Sequence, residues 1–184
     1  MPGSQTNIPP IKDYGFIGDT RTGALVSSAG SIDWMCWPRF DSEPVFGRLI
    51  DSKGGGSFEI AVPGANVVSR RYKHASAVLV TDWETPLGEA RLSEAMPMNT
   101  RTPAVVRVLE CTRGRVDVRL RYAPRPGLPG RRRAAPFTLH TAPALHLSGS
   151  GAWDGPLVAG ERISTVLSEP RSRFTCLLYT SDAA

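Results

Sequence analysis

Short hydrophobic runs separated by glycine or proline recur along the chain from residue 14 onward. The clearest run covers residues 115–122, where Val116, Val118, Leu120 and Tyr122 alternate with charged residues. A period of two with charges on the opposite face is typical of a half-buried antiparallel strand. Residues 57–62 repeat this alternation and follow three consecutive glycines.

About ten candidate strands of this kind succeed one another at intervals of about 8 to 15 residues. No window shows the period of an amphipathic helix longer than about three turns. A parallel α/β sheet is disfavoured because its crossover helices have no place in the sequence. The pattern therefore predicts an all-β, antiparallel fold, either a β-sandwich or a barrel.

Two hairpins are expected within this pattern. The runs 24–27 and 31–37 flank an Ala-Gly turn, and the runs 105–111 and 116–122 flank Thr112–Gly114. Short glycine-containing connections between strand-like runs favour pairing of the two runs. Regular alternation along 32–37 would place Trp34 and Trp37 on opposite faces of their strand.

Composition agrees with an ordinary globular protein. The 184 residues are 41% hydrophobic and 21% charged, without a long apolar run. This excludes wholesale disorder and collagen-like structure, and it predicts one domain with no membrane-spanning segment. The first residues have neither a basic nor an apolar stretch, so no secretory signal is predicted and the cytoplasm is the expected compartment.

The net charge of +5 has a local origin. Six arginines and no acidic residue lie between positions 119 and 133, namely Arg119, Arg121, Arg125, Arg131, Arg132 and Arg133. Proline and glycine, rather than aromatic residues, interrupt them, and no nucleic-acid-binding motif accompanies them. The segment is interpreted as a solvated loop, and nucleic-acid binding is kept as a rival hypothesis.

No cofactor or metal site is predicted. Cys36, Cys111 and Cys176 lack CxxC spacing, which argues against a disulfide framework and a thiolate zinc site. His140 and His146 have no third ligand nearby in sequence, and Pro143 between them interrupts any common strand. Nucleotide-binding and nucleophile-elbow motifs are also missing from the sequence.

The two ends of the chain differ from its middle. Residues 1–10 are polar and proline-bearing and are expected to be a flexible lead-in. Residues 176–184 can be encoded by a transposase adapter used in sequencing libraries, so they are interpreted as a non-native tail. The predicted domain therefore spans residues 11–175, and the gene is expected to continue beyond Thr175.

The most distinctive sequence of the chain lies at residues 13–46 and is DYGFIGDTRTGALVSSAGSIDWMCWPRFDSEPVF. This closely resembles the amino-terminal opening of bacterial and archaeal glycoside hydrolase family 15 proteins, the glucoamylase and trehalase-like enzymes. The likeness continues more weakly to about residue 170. It departs from the family pattern at Pro126–Leu128, where the family often has an Asp-Tyr-Gly-like step.

The resemblance implies an antiparallel β-sandwich that precedes an (α/α)6 barrel in complete family members. That barrel holds the two catalytic glutamates and hydrolyses α-glucosides with inversion, and these 184 residues do not contain it. The chain is therefore expected to be a non-catalytic domain, inactive alone, with no catalytic residue of its own. Its implied partners are the barrel of the same polypeptide and the α-glucoside substrate, with neither nucleic acid nor membrane among them.

The candidate site comprises Trp37, Arg39, Phe40 and Asp41. Arg39–Asp41 follow Pro38, which tends to end a strand, so this loop should lie on the rim of the fold. The hypothesis is that it faces the barrel near the active-site entrance and meets substrate or barrel. The alternative is an Arg39–Asp41 salt bridge that only holds the loop, with Trp34, Trp37 and Phe40 as packing residues rather than a sugar-stacking surface.

The sequence also allows two other interpretations. An acid and base pair could come from two of four aspartates, Asp13, Asp19, Asp33 and Asp41. Their spacing favours no particular two, and Asp19 is better interpreted as a turn former. A rival function of another class is an autonomous carbohydrate-binding module, which predicts saturable sugar binding by the isolated chain.

Overall fold

The computed structural model describes residues 8–127 and 138–169, and within these ranges it contains one 3-10 turn and twelve strands. The elements are a turn at Ile11–Asp13, β1 Tyr14–Gly18, β2 Gly23–Ser27, β3 Ser31–Cys36, β4 Pro44–Phe46, β5 Ser57–Ala61, β6 Asn66–Tyr72, β7 Leu79–Thr85, β8 Gly88–Ala95, β9 Ala104–Ala123, β10 Thr138–Ala142, β11 Ala152–Val158 and β12 Arg162–Ser168. Every strand pair is antiparallel, which confirms the predicted all-β class. The expected tail at 176–184, most of the lead-in and Arg131–Arg133 lie outside the described residues.

The long strand β9 joins two halves of a curled sheet. Its first part pairs with β8 and β12, and its second part pairs with β5 and β11. The order β1-β2-β3-β5 continues one half, and β6-β7-β8 continues the other. One hydrophobic core lies between the halves, with Ile32, Phe58 and Leu120 from one and Leu92 and Leu109 from the other. The result is an antiparallel β-sandwich.

The expected hairpin around Thr112–Gly114 is wrong. Residues 104–123 form one continuous strand, in which Ala90 faces Cys111 and Glu89 faces Arg113, so that Thr112 is an inserted bulge residue. Gly114 has φ +66°, and a Cβ there would lie 2.2 Å from the Leu87 carbonyl oxygen. The local sequence therefore bends the strand from one half of the sheet into the other, which is a common use of a bulge.

The other expected hairpin is confirmed, but its alternation is not regular. β2 pairs with β3, Leu25 facing Trp34 and Val26 facing Ile32, so Asp33 is left over as a bulge. One inserted residue reverses the side-chain parity of the strand. Ile32 and Met35 are consequently both fully buried in the core, whereas Trp34 is only half-buried.

None of the described residues belongs to a helix with the length and apolar character needed to cross a bilayer.

Two of the clustered arginines lie close to an acidic residue that is distant from them in sequence. Arg121 lies 2.6 Å and Arg119 3.9 Å from Asp154 of β11.

A charged cluster on the outer face joins β6, β7 and β8. Ser69, Asp82 and Arg91 are direct cross-strand neighbours, and Asp82 accepts hydrogen bonds from Ser69 at 2.7 Å and from Arg71 and Arg91 at 2.6 Å. Partial burial raises the pKa of Asp82, but the bonds from Arg91, Arg71 and Ser69 outweigh this and bring it to about 2.

This cluster predicts a specific acid sensitivity. Because the pKa of Asp82 falls on folding, its contribution to stability is present above pH 3.8 and is lost as the pH drops through about 2. We expect Asp82→Asn to lower the melting temperature at pH 7 by about 2–4 °C and to flatten its decline between pH 4 and pH 2. Thermal unfolding measured against pH checks this, with the exposed Asp117→Asn as control. An unchanged pH profile in Asp82→Asn would contradict it.

Candidate functional site

One end of the sandwich carries an open groove of about 740 Å³, which we call the end groove. Three loops and the residue after the last strand line it: residues 20–21 between β1 and β2, residues 38–41 between β3 and β4, residues 101–103 between β8 and β9, and Glu169 after β12. Antiparallel connectivity brings these loops to the same end of the fold. The volume lies within the range of about 300–1,000 Å³ found for ligand sites.

The predicted loop forms one wall of this groove. Arg39 donates from Nε to Asp41 Oδ1 at 2.9 Å and from Nη2 to Oδ2 at 3.2 Å. The backbone N–H of Arg39 donates to Ser42 Oγ, and that of Ser42 donates to the Arg39 carbonyl. The hydrogen bonds from Arg39 hold the pKa of Asp41 below its ordinary value. The salt bridge considered as an alternative is therefore present, and both its side chains are about 70% exposed on the groove wall.

The loop is anchored to the neighbouring β1–β2 turn. Asp19 Oδ1 accepts the backbone N–H groups of Arg21 and Thr22 at 3.0 and 2.9 Å, which confirms its interpretation as a turn former. The Arg21 guanidinium contacts Asp19 and also donates to the Thr100 and Arg101 carbonyls. Arg21 thus ties two of the groove loops together, and its own carbonyl accepts the N–H of Phe40 at 3.0 Å.

Three exposed aromatic residues extend the groove, and we call Phe16, Phe40 and Tyr72 the aromatic patch. The rings of Phe16 and Phe40 stack with centroids 6.3 Å apart and planes inclined by 14°. Their exposed fractions are 45% and 55%, and that of Tyr72 is 49%. Sequence reasoning named only Phe40, because Phe16 and Tyr72 reach this place from different strands.

Trp37 does not line the groove. It is 5% exposed and belongs to the hydrophobic core, while Trp34 is half-buried. Of the four residues named from the sequence, the structure brings Arg39, Phe40 and Asp41 to the groove wall and places Trp37 in the hydrophobic core.

Asp33 lies in a separate buried cluster. Its carboxylate accepts from Tyr14 Oη at 2.7 Å and from Ser31 Oγ at 2.5 Å, with Arg48 Nη1 at 3.4 Å. Burial and the bond to Asp33 raise the pKa of Tyr14. These contacts satisfy the polar groups at the β3 bulge, which is a structural use of the carboxylate.

The other chemistry-bearing residues are not assembled into a site. Within residues 8–127 and 138–169, no three His, Cys, Asp or Glu side chains come together as a metal site would require. His140 lies on β10, which ends at Ala142, so His146 is not on that strand. Cys36 and Cys111 are buried and reduced, and burial raises the pKa of both thiols.

Comparison with known proteins gives a consistent set of relatives. The family described as trehalase-like, N-terminal matches residues 3–145. The trehalase of Mycolicibacterium smegmatis is 32% identical over 200 residues, which cover 98% of this chain and 27% of that protein. The trehalases of Mycobacterium tuberculosis and Thermoplasma volcanium are 33% and 35% identical, each over 63% of this chain and 20% of their own length. No solved structure matches significantly. The chain thus spans between 20% and 27% of the length of these relatives.

Proposed function

The chain belongs to the trehalase-like N-terminal family, and from that membership we propose that it is the non-catalytic N-terminal domain of an inverting α-glucoside hydrolase. The resemblance seen in residues 13–46 is confirmed at the level of the family. The relatives are named trehalases and are several times longer than the segment they share with this chain. Their catalytic work therefore belongs, in this proposal, to the polypeptide outside that segment.

The observation that carries the proposal is the position of Glu169. This residue follows β12 and lines the end groove, so the last described residue lies beside the Arg39–Asp41 loop. We propose that this end packs against the catalytic (α/α)6 barrel and shapes the entrance to its active site.

The charges at this end suit an interface with a polar rim. Arg101 is exposed, and among the described residues it takes part in no ion pair, whereas Arg39 and Arg21 are neutralised by Asp41 and Asp19. Aromatic residues and arginines are the types that most often anchor protein interfaces. Arg101 is accordingly assigned to a carboxylate on the catalytic domain.

Charge reversal at Arg101 tests the packing. We expect the 184-residue chain to bind the separately expressed catalytic portion of its gene, and Arg101→Glu to weaken this binding at least about tenfold, because a like charge replaces a complementary one. The matched control is Arg115→Glu, an exposed arginine at the bend of β9, where β8 begins at the opposite end of the sandwich. Titration calorimetry measures both. Equal affinity of the two variants would refute this face as the interface.

A further inference from the structure

Two depressions of different character meet at Phe40. The smaller measures about 380 Å³ and is formed by the aromatic patch together with Gly18, Thr20 and Ala77, with little polar surface. The larger is the end groove, whose wall beside Phe40 is the Arg39–Asp41 pair. A ligand lying across Phe40 would therefore meet aromatic rings on one side and hydrogen-bonding groups on the other.

The aromatic patch is held in place without a ligand. The Phe16 ring lies directly over Gly23, where an added Cβ would come within 2.2 Å of Phe16 Cζ. Tyr72 Oη accepts the N–H of Phe16 at 3.0 Å and donates to its carbonyl at 2.8 Å. The N–H of Phe40 is bonded to the Arg21 carbonyl. A site fixed in this way loses little conformational freedom on binding.

We propose that the aromatic patch and the Arg39–Asp41 pair form a binding site for an α-glucoside, an inference that takes its ligand class from the proposed function. A pyranose has an apolar C–H face and a rim of hydroxyls. The exposed rings of Phe16 and Phe40 bury the C–H face. Two N–H groups of Arg39 bond to Asp41, and the remaining N–H groups and carboxylate lone pairs can bond neighbouring hydroxyls.

The charge of the site favours a neutral ligand. Arg39 is paired with Asp41 and Arg21 with Asp19, and the two other charged residues of the lining, Arg101 and Glu169, have opposite signs. The lining therefore has no excess positive charge to attract an anionic ligand such as a phosphate ester. A neutral polyol needs no such charge, because each of its hydroxyls can both donate and accept.

Binding is tested on the whole 184-residue chain by amide NMR titration with trehalose and maltose. We expect saturable shifts confined to residues 15–20, 38–42 and 72–77, with millimolar affinity. Phe40→Ala should weaken binding at least about tenfold, since it removes one stacked ring. Leu87→Ala is the matched control, because Leu87 is 72% exposed in the β7–β8 turn at the opposite end and should leave the affinity unchanged.

Three outcomes would overturn the inference. The first is the absence of a saturable shift at about 100 mM sugar, a concentration far above a millimolar dissociation constant. The second is a set of shifts outside the named segments, and the third is the same sugar affinity in Phe40→Ala as in the unaltered chain. The Arg101→Glu experiment is independent of them, because it contains no sugar. If the chain binds no sugar but still binds the catalytic portion, the sugar site is rejected and the proposed packing of this end against the catalytic domain is kept. If Phe40→Ala weakens only the binding of the catalytic portion, the aromatic patch is assigned to contact between the two domains.

Discussion

Replacing Arg107 with leucine is expected to lower the free energy of unfolding by about 3–5 kcal/mol. Arg107 lies on β9 with its side chain fully buried between the two halves of the sandwich. Its guanidinium donates to Glu94 Oε1 at 2.7 Å, to the Phe58 carbonyl at 2.8 Å and to the Gly30 carbonyl at 2.6 Å. It therefore connects β8, β5 and the β2–β3 turn.

The loss is large because the partners stay behind. Leucine would leave the Glu94 carboxylate buried without its cation, and it would remove the guanidinium bonds to the Phe58 and Gly30 carbonyls, of which the Gly30 carbonyl keeps the N–H of Ile60. The guanidinium also lies 4.6 Å from the centroid of the Phe58 ring, a cation–π contact that leucine cannot make. Natural domains have only about 5–15 kcal/mol of stability, so this change would remove a large share of the total.

Denaturant unfolding of three variants separates these causes. Arg107→Leu should shift the midpoint strongly, and adding Glu94→Leu should recover part of the loss, since the double variant buries no unpaired charge. Arg91→Leu removes an arginine that is half exposed and should cost about 1 kcal/mol or less. If Arg91→Leu and Arg107→Leu lower the free energy of unfolding by similar amounts, burial of the Arg107–Glu94 pair does not explain the loss.

The regular parts of this fold could be predicted from the sequence, and the irregular parts could not. Alternation identified 57–62 and 116–122 as strands because one face is buried and the other solvated. The same period carries no information on where a strand bends. Thr112–Gly114 has the composition of a turn, and only the separate neighbours of each half of β9 make it a bulge.

The Arg107–Glu94 pair shows a signal that alternation did contain. On β8 the inward positions are Ala90, Leu92 and Glu94, and on β9 Arg107 and Leu109 are also inward. Two opposite charges therefore occupy inward positions, directly facing each other in the register. A charged residue in phase with the buried face is a sign of a buried ion pair, provided that the strand pairing is known.

The candidate site was predictable only where it is local in sequence. The Arg39–Asp41 loop follows a strand end and could be placed on the rim from Pro38 alone. Phe16 and Tyr72 are 56 residues apart in sequence and Arg101 is 80 residues from Arg21, so only the folded sheet brings these residues to the loop. Trp37 is near in sequence but buried, because the strand parity changes at the Asp33 bulge.

The 184-residue chain is expected to release no glucose from trehalose or maltooligosaccharides, whereas the proposed function predicts that a longer product of the same gene with the catalytic domain hydrolyses them. Inversion requires a carboxylic acid and a carboxylate about 6.5–9.5 Å apart, with a water between base and sugar. At the groove Asp41 is bonded twice to Arg39, and these bonds keep its pKa low, so it is unsuited to donating a proton. Asp19 and Asp33 are likewise committed to the turn and the bulge.

Glucose release measured on the 184-residue chain and on the longer product shows which of them is catalytic, because enzymes exceed uncatalysed rates by at least about 10⁶-fold. Activity in the short chain that is lost in Asp41→Asn or in Asp33→Asn would reject a non-catalytic domain, because it would show that the chain's own carboxylates catalyse the hydrolysis. An inactive long product would reject the hydrolase assignment. In an active long product, Arg101→Glu should lower kcat/KM while Arg115→Glu leaves it unchanged, since of the two only Arg101 lines the end groove that is proposed to pack against the catalytic domain. That difference would connect the end groove to catalysis through the seating of one domain on the other.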